Sequence, residues 1–187
     1  MSATDAPQPR LPLLPLEPAD PAVARMFDEV RSRGWQVPNL YRVLAHSPAM
    51  LRAWLDFAWP LRLEAATDRR LRELLILRGS QVSGTRYEWV HHVPMALAAG
   101  VTQAHIDALD DAWEGSAAFD AREKAILRLA DEVTRGPGAS ASCIAALLHH
   151  GFSDAEVTEL TLTASFYVCV SRFLHSMDIP LEGNSHG

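Results

Sequence analysis

Apolar residues recur at helical spacing over most of the chain, and helix start and stop signals separate the runs. Asp20-Pro21 places a cap before a proline at the first helical position, and Gly34 stops the run, which predicts a helix near 21–33. Residues 38–46 predict a short helix starting at Pro38. Ser47-Pro48 repeats the pattern ahead of AMLRAWLDFAW, with Pro60 expected to end or kink that helix. Thr67 or Asp68 caps RRLRELLILRGSQV, which Gly84 closes. Residues 85–99 predict a helix ended by Gly100 and kinked at Pro94, and Thr102 opens a short one, HIDAL. Asp120 with Glu123 signals the helix REKAILRLADEV, Gly136-Pro137-Gly138 is a break, and residues 139–150 run to Gly151. Ser153 with Glu156 opens a long, largely apolar helix through about residue 176.

Strand-like alternation is almost absent. TLTASFYVCV is β-prone in isolation, but its length and caps favour a buried helix. The expectation is an all-α domain of about seven or eight helices over 20–187, preceded by a proline-rich arm over 1–19. Pro7, Pro9, Pro12, Pro15 and Pro18 predict that the arm is extended, either disordered or laid against a surface.

Composition narrows the partners. Seventeen basic and 23 acidic residues give a net charge of −6, which argues against nucleic acid or an anionic membrane surface. A chain of 187 residues with 48% apolar content can bury its own core without a disulfide or structural metal. Cys143 and Cys169 show no zinc or CxxC spacing and read as isolated thiols. Apolar runs are too short to span a bilayer, and Pro12 and Pro15 interrupt the apolar part of the arm, so a cytoplasmic location is expected.

The chemistry-bearing stretch is residues 73–100. On the helix after Gly84, Thr85, Glu88 and His92 share one face, continued by Met95, Ala96 and Ala99. Glu73 is followed at i+3 and i+4 by Ile76 and Leu77, so it too lies beside an apolar stripe. Carboxylates are rarely buried without a partner. If these groups converge, desolvation and like-charge proximity raise at least one carboxyl pKa, which is what general acid–base work near neutral pH requires. The same spacing also fits a surface pair between Glu88 and His92 that stabilises the helix by a few tenths of a kcal/mol. His91 and His92 point about 100° apart on a helix and are poor co-ligands, so no metal site is expected within one chain.

The stretch resembles the signature of the carboxymuconolactone decarboxylase family, which includes the AhpD-like alkylhydroperoxidases. Its redox-active members carry E-x11-C-x2-C-x3-H, and the same frame here holds Glu73, Thr85, Glu88 and His92. The flanks R-E-L-x-I-L-R and Y-E-W-x-x-H-x-P-x-A-x-x-A-G also match, as do PNLYRVLAHSP, AREKAILRLADEVT and FSDAEVTELTLTASFYVCVSRFLHSM. The resemblance covers nearly all of the chain after the arm and implies an AhpD-like helical bundle.

Both motif cysteines are replaced, by Thr85 and Glu88, and a thiol–disulfide cycle needs a low-pKa thiolate with a resolving partner. The resemblance therefore implies the lyase-like branch: a cofactor-free enzyme acting on a small carboxylated lactone or similar acid, with Glu73, Glu88 and His92 catalytic. Dehydration, isomerisation and lactone hydrolysis would use the same groups. A thiol-independent relative of the peroxidase branch and a non-enzymatic ligand-binding or scaffold protein are the alternatives. An anionic substrate calls for a cation, and Arg42 with His46 one turn apart are the candidates, with Arg78 and Arg86 as substitutes. Tyr87 and Thr85 are candidate substrate contacts. The family also implies a homo-oligomer (dimer, trimer or hexamer), with the long C-terminal helix and the arm as interface elements.

Overall fold

The computed structural model describes residues 9–109 and 112–183, so Pro7 lies outside the described residues. Among these, nine α-helices and one 3-10 turn occur, with no strand. They are α1 (Pro21–Ser32), α2 (Asn39–Leu44), α3 (Pro48–Leu63), α4 (Arg69–Val82), α5 (Arg86–Ala98), α6 (Gln103–Asp107), α7 (Ala121–Arg135), α8 (Ala141–His149) and α9 (Asp154–Met177). The count is one or two above the expected seven or eight, and the short helices α2 and α6, six and five residues long, fall where Pro38 and Thr102 marked short runs. None of the helices is long and apolar enough to cross a membrane.

Local signals set the ends. Asp20 accepts from the Ala22 and Val23 amides, and Asp120 with Glu123 forms a reciprocal capping box. Ser153 and Glu156 do the same, the Ser153 amide donating to Glu156 at 2.8 Å and the Glu156 amide to the Ser153 hydroxyl at 3.3 Å. Gly84, at φ +67°, takes the left-handed turn between α4 and α5 that a residue with a Cβ adopts only at a cost. Pro60 does not end α3, which runs on to Leu63. A proline removes one amide donor, and α3 absorbs the loss near its C-terminal end.

The chain forms two compact units, residues 1–59 with 173–187 and residues 60–172. In the first, α1 buries Val23, Met26, Phe27 and Val30, spaced i, i+3, i+4 and i+7. The described part of the arm lies against helix ends of this unit. The Arg10 amide donates to the Met177 carbonyl at 2.9 Å and the Leu14 amide to that of Arg42 at 3.4 Å. Arg33 caps this unit's core by stacking over Trp59 at 4.2 Å.

In the second unit, α4 is buried nearly all round and packs against α5 and α7. Leu75 and Ile76 join a cluster with α7, α8 and α9 that includes Ile126, Leu129, Leu147 and Leu160. Leu74 and Leu77 join a second cluster with Ala96, Trp113, Phe119 and Leu127. A helix enclosed on both sides has a fixed axis and rotation, so any polar side chain on it is held in place. Glu73 is such a side chain.

Candidate active site

Glu73, Glu88 and His92 are all in the second unit and are 5%, 3% and 6% exposed. The surface-pair alternative for Glu88 and His92 therefore fails on burial. His92 Nδ1 lies 2.8 Å from Glu73 Oε2, so α4 and α5 are joined by a buried imidazole–carboxylate hydrogen bond. Arg69, one turn before Glu73, reaches its other oxygen at 3.3 Å. Burial opposes the Glu73 carboxylate, but the His92 hydrogen bond, with His92, Arg69 and Arg62 nearby, outweighs it and holds the carboxyl below its ordinary value. Burial in turn pushes His92 below its ordinary value despite Glu73. Both directions describe one state: a neutral imidazole whose Nδ1–H donates to an ionised Glu73. That tautomer leaves Nε2 with its lone pair.

Glu88 has a different environment. Oε2 accepts from the Ser171 hydroxyl, and Oε1 is buried without a hydrogen-bond partner among the described residues. Burial pushes the Glu88 carboxyl up to about 8, against the opposing hydroxyls of Ser171 and Thr85. A carboxylic acid that stays protonated at neutral pH results. Ser171 Oγ is 3.0 Å from Ser83 Oγ, which is 2.9 Å from Thr85 Oγ1, so three hydroxyls continue from the acid toward the α4–α5 turn. Thr85 is the N-cap residue of α5 and is itself buried.

The long C-terminal helix supplies two residues that local spacing could not reveal. Tyr167 sets its ring edge-on to His92 with centroids 5.0 Å apart, and Ser171, one turn on, meets Glu88. On α5 the order is Glu88 then His92, and on α9 it is Tyr167 then Ser171, the register of an antiparallel pair.

The other sequence candidates make contacts of their own. Arg42 and His46 belong to the first unit. The Arg42 Nε donates to the Leu14 carbonyl at 2.6 Å and Nη1 to Asn39 at 3.0 Å, while His46 Nε2 is 2.8 Å from the Pro12 carbonyl. These groups secure the arm. Tyr87 stacks on His91 with centroids 4.3 Å apart. Arg78 is fully buried against Asp131, its Nε 2.5 Å from Oδ1. The cations beside Glu73 are instead Arg62, Arg69 and Arg72. No group of three or more His, Cys, Asp or Glu that could hold a metal ion occurs among the described residues. Cys143 and Cys169 are both free, and burial pushes the Cys143 thiol up to about 11.

Solved structures share this arrangement of helices and define an AhpD-like all-helical class. An uncharacterized peroxidase-related protein from Silicibacter sp. TM1040 is 21% identical with a TM-score of 0.79, covering 100% of this chain and 98% of that one. An uncharacterized peroxidase-related protein from Ralstonia eutropha JMP134, described as an alkylhydroperoxidase AhpD core, is 21% identical with a TM-score of 0.81, covering 95% of this chain and 94% of that one. The debrominase Bmp8 is 16% identical with a TM-score of 0.72, covering 87% of each chain. At these identities the likeness is one of fold. Among curated proteins, none matches the chain. Residues 48–132 match the sequence model of the Carboxymuconolactone decarboxylase family, so this stretch is similar to that family, and the chain as a whole shares the AhpD-like fold.

Proposed function

We propose that the protein is a cofactor-free proton-transfer enzyme of the lyase type, acting on a small carboxylated lactone or similar acid. The observation that carries this reading is the buried geometry on α5: His92 bonded to Glu73 at 2.8 Å, which favours the Glu73 carboxylate, and Glu88 one turn away on the same helix, whose burial favours the protonated form. In a decarboxylation, the bond from ring carbon to carboxylate breaks, carbon dioxide leaves, and the electron pair enters the conjugated lactone. Glu88 then delivers a proton to carbon, and solvent restores it through the hydroxyls of Ser171, Ser83 and Thr85. His92 Nε2, its tautomer fixed by Glu73, orients the substrate by accepting a hydrogen bond. Isomerisation or dehydration would use the same groups.

The test is carbon dioxide release from a panel of carboxylated butenolides over pH 5–10. The expected profile is a plateau bounded below by ionisation of His92, beneath its ordinary 6.5, and above by loss of the Glu88 proton near 8. Glu88→Gln is expected to reduce turnover by about 10²-fold or more and to abolish the upper limb. Unchanged turnover in that variant would end the reading.

The second reading is a peroxidase-branch relative, favoured by the peroxidase-related neighbours. The raised Cys143 thiol and the absence of thiols in the motif weigh against it. A peroxide-consumption rate abolished by Cys143→Ser or Cys169→Ser would promote it. Homo-oligomerisation belongs to the proposal as well, supported by the exposed apolar residues Val90 and Leu97 of α5 and Leu162 of α9. Sedimentation velocity reads it directly.

A further inference from the structure

Behind the Glu73–His92 pair, the second unit has a recess with room for about one water molecule before it opens to solvent. Ile76, Phe166 and Tyr167 form apolar walls, and Arg72, Glu73 and Thr163 bring polar groups to it. Arg72 is 7% exposed. Its Nε donates to the Thr67 carbonyl at 3.1 Å, and its Nη1 donates to that of Leu61. A guanidinium has five N–H donors, and the other three of Arg72, both on Nη2 among them, have no acceptor among the described residues. A charged donor on so buried a side chain calls for an acceptor.

The two other polar walls offer acceptors. Thr163 is 2% exposed, and its hydroxyl gives its one hydrogen to the Glu159 carbonyl at 2.7 Å, which leaves the oxygen able to accept. Glu73 takes one hydrogen bond at each carboxylate oxygen, from His92 at 2.8 Å and from Arg69 at 3.3 Å, and each oxygen can accept a second. Arg62 also lines the recess, and its Nη2 is directed to Met95 Sδ at 3.6 Å. A buried water typically makes about three hydrogen bonds, two of them with its own hydrogens. One donor side chain and two acceptor side chains around a water-sized space match that requirement.

We propose that the recess is the binding site of one structural water, which accepts from Arg72 Nη2 and donates to the Glu73 carboxylate and to Thr163 Oγ1. Arg72 is thereby a positioning residue for Glu73, acting through the water rather than through a direct ion pair. Glu73 is also faced by Arg69 on its own helix, by His92 on α5 and by Arg62 near the end of α3, with His91, Glu159 and Tyr167 close to these groups. The water adds a hydrogen bond to the ionised form of Glu73, which holds the carboxylate in place against the His92 Nδ1–H. The consequence for turnover rests on the proton-transfer reading above, whereas the water and its link between Arg72 and Glu73 do not.

A high-resolution crystal structure of the full wild-type chain tests the site. The expected result is a water peak within about 3.2 Å of Arg72 Nη2, a Glu73 carboxylate oxygen and Thr163 Oγ1. A recess without a water, or a water that misses Arg72 or Glu73, overturns the proposal. The positioning role is tested by replacing the third partner. Thr163→Ile removes the hydroxyl and adds a methyl where the water would sit, and Thr163→Ser keeps the hydroxyl. Carboxyl-carbon NMR reads the titration midpoint of Glu73 in each. The midpoint is expected to rise in Thr163→Ile, because a hydrogen bond to the ionised form is lost, and to keep its wild-type position in Thr163→Ser. An unmoved midpoint in a folded Thr163→Ile overturns the positioning role, since a packing role alone leaves Glu73 as it was. Circular dichroism verifies the fold, and Thr163→Val, of nearly the same shape as the wild type, takes the place of Thr163→Ile if that variant unfolds. Neither measurement reads turnover. Unchanged turnover in Glu88→Gln would therefore sink the proton-transfer reading alone, and a missing water would sink this proposal alone.

Discussion

Glu73 and Glu88 are carboxylates on neighbouring helices, buried to nearly the same degree, yet they hold their protons oppositely. Glu73 faces an imidazole and a guanidinium and stays ionised. Glu88 faces hydroxyls and apolar surface and stays protonated up to about pH 8. Burial alone would raise both. The difference teaches that the partner, not the depth, decides the protonation state.

The largest expected effect follows from Glu88. Its folded pKa lies above its unfolded value, so between about 4.5 and 8 the folded chain holds a proton that the unfolded chain releases. Stability from this group is therefore lost as pH rises through that window, by up to about 5 kcal/mol. Glu88→Gln should match the wild type near pH 4.5 and exceed it by several kcal/mol at pH 8 in urea unfolding. Parallel pH–stability curves for the two proteins would show that Glu88 is ionised in the fold.

Glu73 and His92 carry the opposite sign. Glu73 sits below its ordinary 4.5 and His92 below its ordinary 6.5, so their contributions are lost on acidification. His92→Leu strands a buried carboxylate with Arg69 as its remaining partner and is expected to cost about 3 kcal/mol at pH 7. A loss below about 1 kcal/mol would mean that Arg69 satisfies Glu73 alone. Ser171→Ala sharpens the contrast on the Glu88 side. It should cost about 1 kcal/mol and move the alkaline midpoint upward, because the Ser171 hydroxyl favours the ionised form. The smallest effect belongs to His46→Ala, which releases one arm contact. It should cost 1 kcal/mol or less (~0.5–1) and leave both pH signatures in place.

Legibility in the sequence followed the range of the interactions. Caps and stops were readable at Asp20, Asp120, Ser153 and Gly84 because each bond spans three residues or so. The frame of Glu73, Glu88 and His92 was readable because α4 and α5 are adjacent and short-linked. Ser171 and Tyr167 were not, since their meeting with α5 depends on how α9 is rotated and slid against a helix some 80 residues earlier. Arg42 and His46 make contacts that were hidden for a related reason. Their chemistry suits an anion, but two of the arm's carbonyls take their donors. The signal for Arg72 was present as an arginine directly before Glu73, on the same buried stretch.

The division into two units has a consequence for biosynthesis. Residues 60–172 are contiguous, so this unit and the acid–base site within it can assemble as soon as they leave the ribosome. The first unit is interrupted: its N-terminal part must wait for the segment after residue 172, and Arg10 finds the carbonyls of His175 and Ser176 only after the whole second unit has been made. Nascent chains stalled with residues 60–172 outside the ribosome and the following segment still within it should therefore protect the second unit from protease while leaving the arm open to cleavage.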